Sequence, residues 1–454
     1  LEGTNYGQRS KQRLYRGLAA IASMGGKNFF RDHPFFANSV LFSIYQTQPG
    51  WQFLYPAGDL ARSAASEVSP YDREYVQIAT YWLCDSPARR LGQYYLTKIA
   101  ADYDDGSRSF DYGAGYYLDL LFALDLPVHD VTTLPLSYRA GGTNLVNARS
   151  GWDEHATSIT ISGAPVFSQS HQHQDVGSFL IWKDGWLAAN PETFGGDGPF
   201  WPAEASQGLF VPNRELRFDG GPVPGLLRFA DKNAAVYTQI DMSGMYLRKS
   251  TSGEEKLLNE HTREILYIRP NTVFVFDRVD AKPAGEGYSL HFHFPSAPTT
   301  SGGVYSAVNG AAGITVAPLL GGAVSVHADT DLGSSAHRIE QAATGVVSRF
   351  LSVIEVSSNG APAVSAQLVG TPGTVRGAIA KDHVVIFSDL PRGATPPVPF
   401  SYTVPGTGSP THVLLGMSGS YSITASRDGG STTVTVAAGN DVQADAEGIV
   451  VVTP

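Results

Sequence analysis

The sequence predicts an α+β protein of several domains. Helical hairpins run to about residue 135, antiparallel β-sheets stacked as a sandwich occupy 136–395, and a small β domain closes the chain at 396–454. Three observations carry this. Apolar residues recur at helical spacing in the first 135 positions. Beyond Pro135, short runs rich in Val, Ile, Phe and Tyr alternate with turns. Most of the 49 glycines and 28 prolines also lie beyond that point. At 454 residues the chain has room for two or three such units.

The helical part begins with Leu14, Leu18 and Ile21 at helical spacing, with Arg9, Lys11, Arg13 and Arg16 between them, and Gly25-Gly26 stops that helix. A second apolar segment runs from Pro34 to Tyr45. Ser69-Pro70-Tyr71-Asp72 is a helix start, with a capping serine, proline in the first turn and acids behind it. Ser86-Pro87 starts another, with Leu91, Tyr95 and Ile99 in register, and Tyr116 to Leu126 is the last. The strands predicted after Pro135 include 158–162, 178–182, 264–268, 272–279, 289–294, 314–318, 349–356 and 383–390. A proline-rich break from Pro391 to Pro405 precedes the terminal strands.

The stretch around which the chain is organised is Ser170-His171-Gln172-His173-Gln174-Asp175-Val176-Gly177-Ser178, which leads into the apolar Phe179-Leu180-Ile181-Trp182. On an extended backbone His171, His173 and Asp175 project to one side and Gln172 and Gln174 to the other. Three ionisable groups on one face suit a polar cleft, a metal site or both, and the bland alternative is a solvated strand end. Upstream, Arg149-Ser150-Gly151-Trp152 offers a guanidinium able to hold a carboxylate and an indole able to stack on a sugar ring. The alternative there is a surface arginine beside a packed tryptophan.

Composition narrows the partners. Hydrophobic content of 42% and charged content of 16% are those of a globular protein, and the net charge of −10 argues against a nucleic-acid binder. An acidic protein can still carry a local basic cleft for a polyanion. Cys84 is the single cysteine, so no internal disulfide forms. No apolar run is long enough to span a membrane. The opening Leu1-Glu2-Gly3 carries no Met, which raises the expectation of an upstream segment.

Taken in order, Glu2-Gly3-x-x-Tyr6, Pro56-Ala57-Gly58-Asp59, Arg149-x-Gly-Trp152, His171-x-His173-x-Asp175-x-Gly-Ser-Phe, Arg263-x-x-x-Tyr267, Phe274-x-x-Asp277-Arg278-Val279 and Arg349-Phe350-Leu351 resemble the heparinase II/III-like polysaccharide lyases. The likeness extends over most of the chain, and the His-x-His-x-Asp block is its most specific piece. It implies a partial α/α toroid followed by stacked antiparallel sheets, in a secreted or periplasmic bacterial enzyme. The activity implied is β-elimination on a uronate-containing polysaccharide. Tyr6 then falls on the family's catalytic acid, in some members its base, and His171 on the histidine lining the cleft. Asn5, Arg149, Trp152 and Gln172 become substrate contacts. No cofactor is required for the chemistry.

His173 falls on a histidine that binds a structural metal in several members, commonly zinc. A divalent cation, zinc or calcium, would here be held by His173 and Asp175. The donor set departs from the family's. Ala189-Asn190-Pro191 stands where many members have an aspartate ligand, and Val211-Pro212-Asn213 where many have His-Asn. Pro212 has no side-chain donor and Asn190 is a poor zinc ligand, leaving Asp175 or Glu192 to substitute. The family's Asn-His pair lies upstream of its tyrosine, so an upstream helical segment of the same protein is the expected partner. Two other functions compete: a glycoside hydrolase, which would need two carboxylates flanking a bond, and a non-catalytic glycan-binding or structural protein.

Overall fold

The structure is a computed structural model. It describes residues 3–56, 67–84, 86–99, 120–122, 129–164, 175–190, 206–212, 225–250, 253–282, 287–328, 337–406 and 408–454, without the side chains of 3–6, 70, 249 and 250. The chain is mostly β-sheet with few helices.

The helices are α1 (Gly3–Ser23), α2 (Phe29–Asp32), α3 (Pro34–Gln46), α4 (Pro70–Trp82) and α5 (Pro87–Lys98). Local sequence explains their ends. Ser69 and Asp72 form a reciprocal capping box around Pro70, and Ser86 caps α5 through the Arg89 amide. Gly25 follows α1 at φ +80°, where a side chain would be strained. The buried stripe of α1 is Tyr15, Ala19 and Ala22, whereas Leu14 and Ile21 face outward. Both stripes keep helical spacing, and a hydrogen-bonding network selects the tyrosine. Tyr15 packs edge-on against Phe30, Phe36 and Tyr75, and its hydroxyl meets Ser39 Oγ at 2.5 Å. One turn on, Ser43 Oγ meets Tyr75 Oη at 2.6 Å, and Thr47 Oγ1 meets Tyr95 Oη at 2.8 Å. Three hydroxyls four residues apart along α3 and its C-cap thus bind tyrosines from three other helices. Of the helix predicted at 116–126, only 120–122 fall within the described residues.

Among the described residues the strands make five sheets and a short hairpin. The first sheet runs in chain order through Ser137–Ala140, Leu145–Arg149, Ser158–Ser162, Phe179–Trp182 and Trp186–Ala188. The longest has eight strands, with Leu258–Ile268, Thr272–Ala281 and Val347–Ser357 near its middle. Both faces of those central strands are buried, and they mix apolar residues with buried polar and charged ones such as His261, Arg263, Glu264, Asp277 and Arg278. Ile265, Val275 and Ile354 share a core with Val146, Ile159 and Ile181 of the first sheet, and with Leu290, Phe292 and Ile339 of a four-stranded sheet. Leu266, Phe274, Phe276 and Val353 face the other way, against Ala378, Val385, Phe387 and Val413.

That second partner alters the predicted boundary at 395/396. Ala366–Thr371, Val375–Ala380 and His383–Ser388 lie in one sheet with Thr411–Leu415 and Ile449–Val452. The proline-rich break is therefore a crossing between strands of the last two sheets, and Phe400–Pro405 is itself a strand. Val384, Ile386 and Leu414 pack on Tyr402, Val434 and Val436 of the final sheet, so the terminal β part has a core from strands on both sides of the break.

The helices meet the first sheet on its outward face. Tyr55 sits there in a small apolar cluster with Ala140, Leu145, Leu180 and Ala189, and Phe53 packs on Trp182. No described helix is long and apolar enough to cross a membrane.

Candidate functional site

The block that ends at Asp175 enters the described residues as a turn. The amide of Ser178 donates to Asp175 O at 2.8 Å, and strand begins only at Phe179. Simple alternation therefore does not extend through Asp175, and its side chain is aimed by the turn. Two bonds pin the turn to the neighbouring strand: Gly177 N to Ser162 O at 2.7 Å and Ser162 N to Ser178 O at 2.9 Å. Gly177 has φ +80°, and a Cβ there would lie 2.0 Å from Met242 Sδ, so only glycine fits.

Asp175 is buried, and burial pushes its carboxyl up to about 6. Tyr55 Oη, from the helical part, donates to Asp175 Oδ2 at 3.4 Å. Burial and the facing carboxylate drive the Tyr55 phenol well above its ordinary value. It stays protonated at any working pH and serves as a donor, not a base.

Behind the turn lies a buried charge cluster. Arg263 Nη1 donates to Gly177 O at 2.8 Å and to Gln207 O at 2.6 Å, and Arg263 Nε donates to Asp277 Oδ1 at 2.9 Å. Asp277 is directly opposite Arg263 in the register of the two central strands. His261, two residues along on the same face, meets the same oxygen through Nε2 at 2.8 Å and Tyr246 Oη through Nδ1 at 2.9 Å. Burial would raise the Asp277 carboxyl, but Arg263 and His261 together hold it below the usual carboxylate range.

The other predicted site residues fall as follows. Asn5 and Tyr6 lie in the first turns of α1, with side chains outside the described residues. His171, Gln172 and His173 lie outside them altogether. Arg149 is 2% exposed, and its Nη2 donates to Tyr45 O at 3.2 Å and Thr47 O at 2.9 Å. Its guanidinium lies 4.1 Å from the Trp152 ring, and burial lowers it to about 10, still cationic near neutrality. The expected carboxylate-binding fork is thus turned inward, capping the end of α3. Trp152 donates its indole N–H to Leu134 O at 3.3 Å and stacks near Trp51, half-buried against the helical core. Its expected sugar-stacking face is engaged in that packing. Both residues join helices to sheet.

Sequence reasoning missed Tyr55 and Gln207. Tyr55 meets Asp175 from 120 positions away, and no local pattern marks it. Gln207 is fully buried and bridges Ala189 O, His293 O and the His293 amide. Among the described residues, no three His, Cys, Asp or Glu side chains are grouped to hold a metal ion.

No family model matches this sequence, and neither does any curated protein. Solved structures do match. They include a heparan sulfate lyase and heparinases III. Heparan sulfate lyase HepC from Pedobacter heparinus superposes with a TM-score of 0.54 at 14% identity, over 76% of this chain and 50% of that one. A heparinase III described as the BT4657 gene product gives 0.54 at 12%, over 75% and 50%. Another heparinase III gives 0.57 at 12%, over 84% and 59%. The chain spans roughly half the length of the lyases it matches. At such identities the likeness is one of fold.

Proposed function

We propose that the protein is a polysaccharide lyase that cleaves a uronate-containing glycan by β-elimination. One observation carries the reading: a lyase-like fold runs through three quarters or more of the chain, in a sequence that also holds the His-x-His-x-Asp block.

The chemistry sets the roles. The C5 proton of a uronate is very weakly acidic, and its removal leaves charge spread into the carboxylate. That charge must be offset by a cation, an amide or a protonated acid. A base then takes the proton, and an acid protonates the oxygen leaving C4. We assign the proton transfers to Tyr6 and His171. Gln172 and Asn5 are the amides that would offset the carboxylate charge. Tyr55 is not the base, because a phenol held protonated cannot serve as one. Asp175 ties the 175–178 turn to Tyr55 of the helical part.

The test is a panel of uronate polysaccharides, heparan sulfate among them, with a neutral glycan as control. Elimination leaves a C4=C5 double bond conjugated with the carboxylate, read by ultraviolet absorbance. Cleavage with saturated ends would identify a hydrolase instead. Binding without any cleavage would identify a glycan-binding protein.

A further inference from the structure

The resemblance implies a structural divalent cation beside the His-x-His-x-Asp block, and the chemistry around the described part of that block does not fit one. Asn190 stands where a carboxylate ligand belongs, and Pro212 where an imidazole does. The Asn190 Oδ1 already accepts two hydrogen bonds, from Ser178 Oγ at 3.1 Å and from the Gln207 amide at 3.3 Å. A neutral amide oxygen used in this way is a poor zinc donor.

The Gln207 side chain is satisfied at both ends. Nε2 donates to Ala189 O and to His293 O, each at 3.1 Å, and Oε1 accepts from the His293 amide at 2.8 Å. Its own carbonyl takes Arg263 Nη1, which also holds Gly177 O. Through two amides and one guanidinium, five pieces of chain are fastened together. They are the 175–178 turn, the 189–190 segment, Gln207, the strand Ser289–Phe294 and the central strand Leu258–Ile268. Cross-linking distant segments is what a structural metal does. Here side-chain amides and the Arg263 guanidinium do it, and Asp277 already matches the Arg263 charge, so the cluster needs no further ion.

We infer that Asn190, Gln207 and Arg263 form a metal-free brace, which fixes the turn following His173 and makes the fold of the site independent of divalent cations. Gln207 and Asn190 are positioning residues. The brace stands whether or not the chain is a lyase, since both of its readouts are physical.

The first experiment measures metal content and thermal unfolding of the full chain after dialysis against EDTA, then with zinc or calcium added back. No stoichiometric metal and a midpoint indifferent to chelator and to added ion are expected. One retained equivalent, or a midpoint that falls with EDTA and recovers with the ion, overturns the proposal. The second experiment locates the brace by amide hydrogen exchange. The Gln207 amide is shared between Asn190 Oδ1 and Ser178 Oγ, the latter at 3.2 Å and itself bonded to Asn190. Asn190→Ala removes one acceptor and the anchor of the other, and should speed exchange at Gln207 by up to about tenfold, the order of one lost hydrogen bond. Asn190→Asp keeps the accepting oxygen and should restore slow exchange without any ion. Slow exchange in Asn190→Ala, or an Asn190→Asp rescue that requires zinc, refutes the brace. Gln207→Ala leaves three backbone groups unpaired, so the milder Asn190 pair decides the matter if that variant fails to fold.

Discussion

The hydroxyl of Tyr55 lies 3.4 Å from Oδ2 of Asp175, joining the loop after α3 to the turn that follows the His-x-His segment. The bond is buried, so it ties the helical part to the first sheet at the place where the proposed cleft must be built. The pair also has a thermodynamic signature, because Asp175 is held near 6 by burial rather than at its unfolded value of 3.8.

Asp175 should therefore make stability fall as pH rises. Below about pH 4 the carboxyl is protonated in both states and burial is no penalty. Between about pH 4 and about pH 6 the unfolded chain ionises first, and the folded state loses on the order of 3 kcal/mol at most. Asp175→Asn keeps an oxygen for Tyr55 and removes the titration. Urea midpoints across that range should slope downward in the wild type and be flatter in the variant. Equal slopes would show that the site is more hydrated than its burial indicates.

The Arg263–Asp277 pair predicts a different asymmetry. Both side chains are fully buried, and Asp277 also serves His261. Asp277→Asn leaves a guanidinium buried without its counter-charge, which costs about 3–5 kcal/mol. Arg263→Met combined with Asp277→Asn removes both charges and should be less damaging than the sum of the single changes. Denaturant titration of the three variants gives the coupling. A double variant that equals the sum would mean that the two residues act independently.

In the helices the tyrosine hydroxyls bonded to Ser39, Ser43 and Thr47 should each contribute modestly. Tyr15→Phe, Tyr75→Phe and Tyr95→Phe keep the ring packing and delete one hydroxyl, at about 1 kcal/mol each. The matching Ser43→Ala should cost less when Tyr75→Phe is already present, since only the bond of Ser43 to Ser39 O is then left to lose. Thermal midpoints of the single and paired variants check this.

How much of this was legible follows from where each signal sits. Ser69-Pro70 and Ser86-Pro87 mark helix starts because capping is local chemistry, and both are confirmed as caps. Residues 272–279 and 264–268 are legible as strands because short runs rich in Val, Ile, Phe and Tyr sit between turn signals, whereas the polar first half of Leu258–Ile268 carries no such pattern. The α1 face was not, since Leu14 and Tyr15 satisfy the same period and only Ser39, elsewhere in sequence, decides between them. The pairing across 395/396 was not legible, because prolines mark a turn but do not say which strands pair across it. In the site, the turn glycine and Asp175 carried a signal. Tyr55, Gln207 and the inward rotation of Arg149 did not, because each depends on partners remote in the chain.

The last prediction separates residues that act on substrate from those that hold the fold. Tyr6→Phe and His171→Ala should lower turnover of the best glycan by about 10²–10⁴-fold, the usual contribution of a general acid or base. Their unfolding midpoints should stay near the wild-type value, as expected of groups that act on substrate and do not hold the fold. Arg149→Lys should do the reverse. A lysine has no planar guanidinium to lie against Trp152, and its shorter side chain must bring Nζ to the place where Nη2 now meets both Tyr45 O and Thr47 O, so the junction between helices and sheet loosens. Stability should fall by about 1–3 kcal/mol, the cost of leaving a buried polar group unsatisfied. The Michaelis constant measured on protein that is still folded should change little. A large rise in that constant with an unchanged midpoint would return Arg149 to the substrate and contradict its inward placement. Near-normal turnover in Tyr6→Phe or His171→Ala would remove that residue from the mechanism.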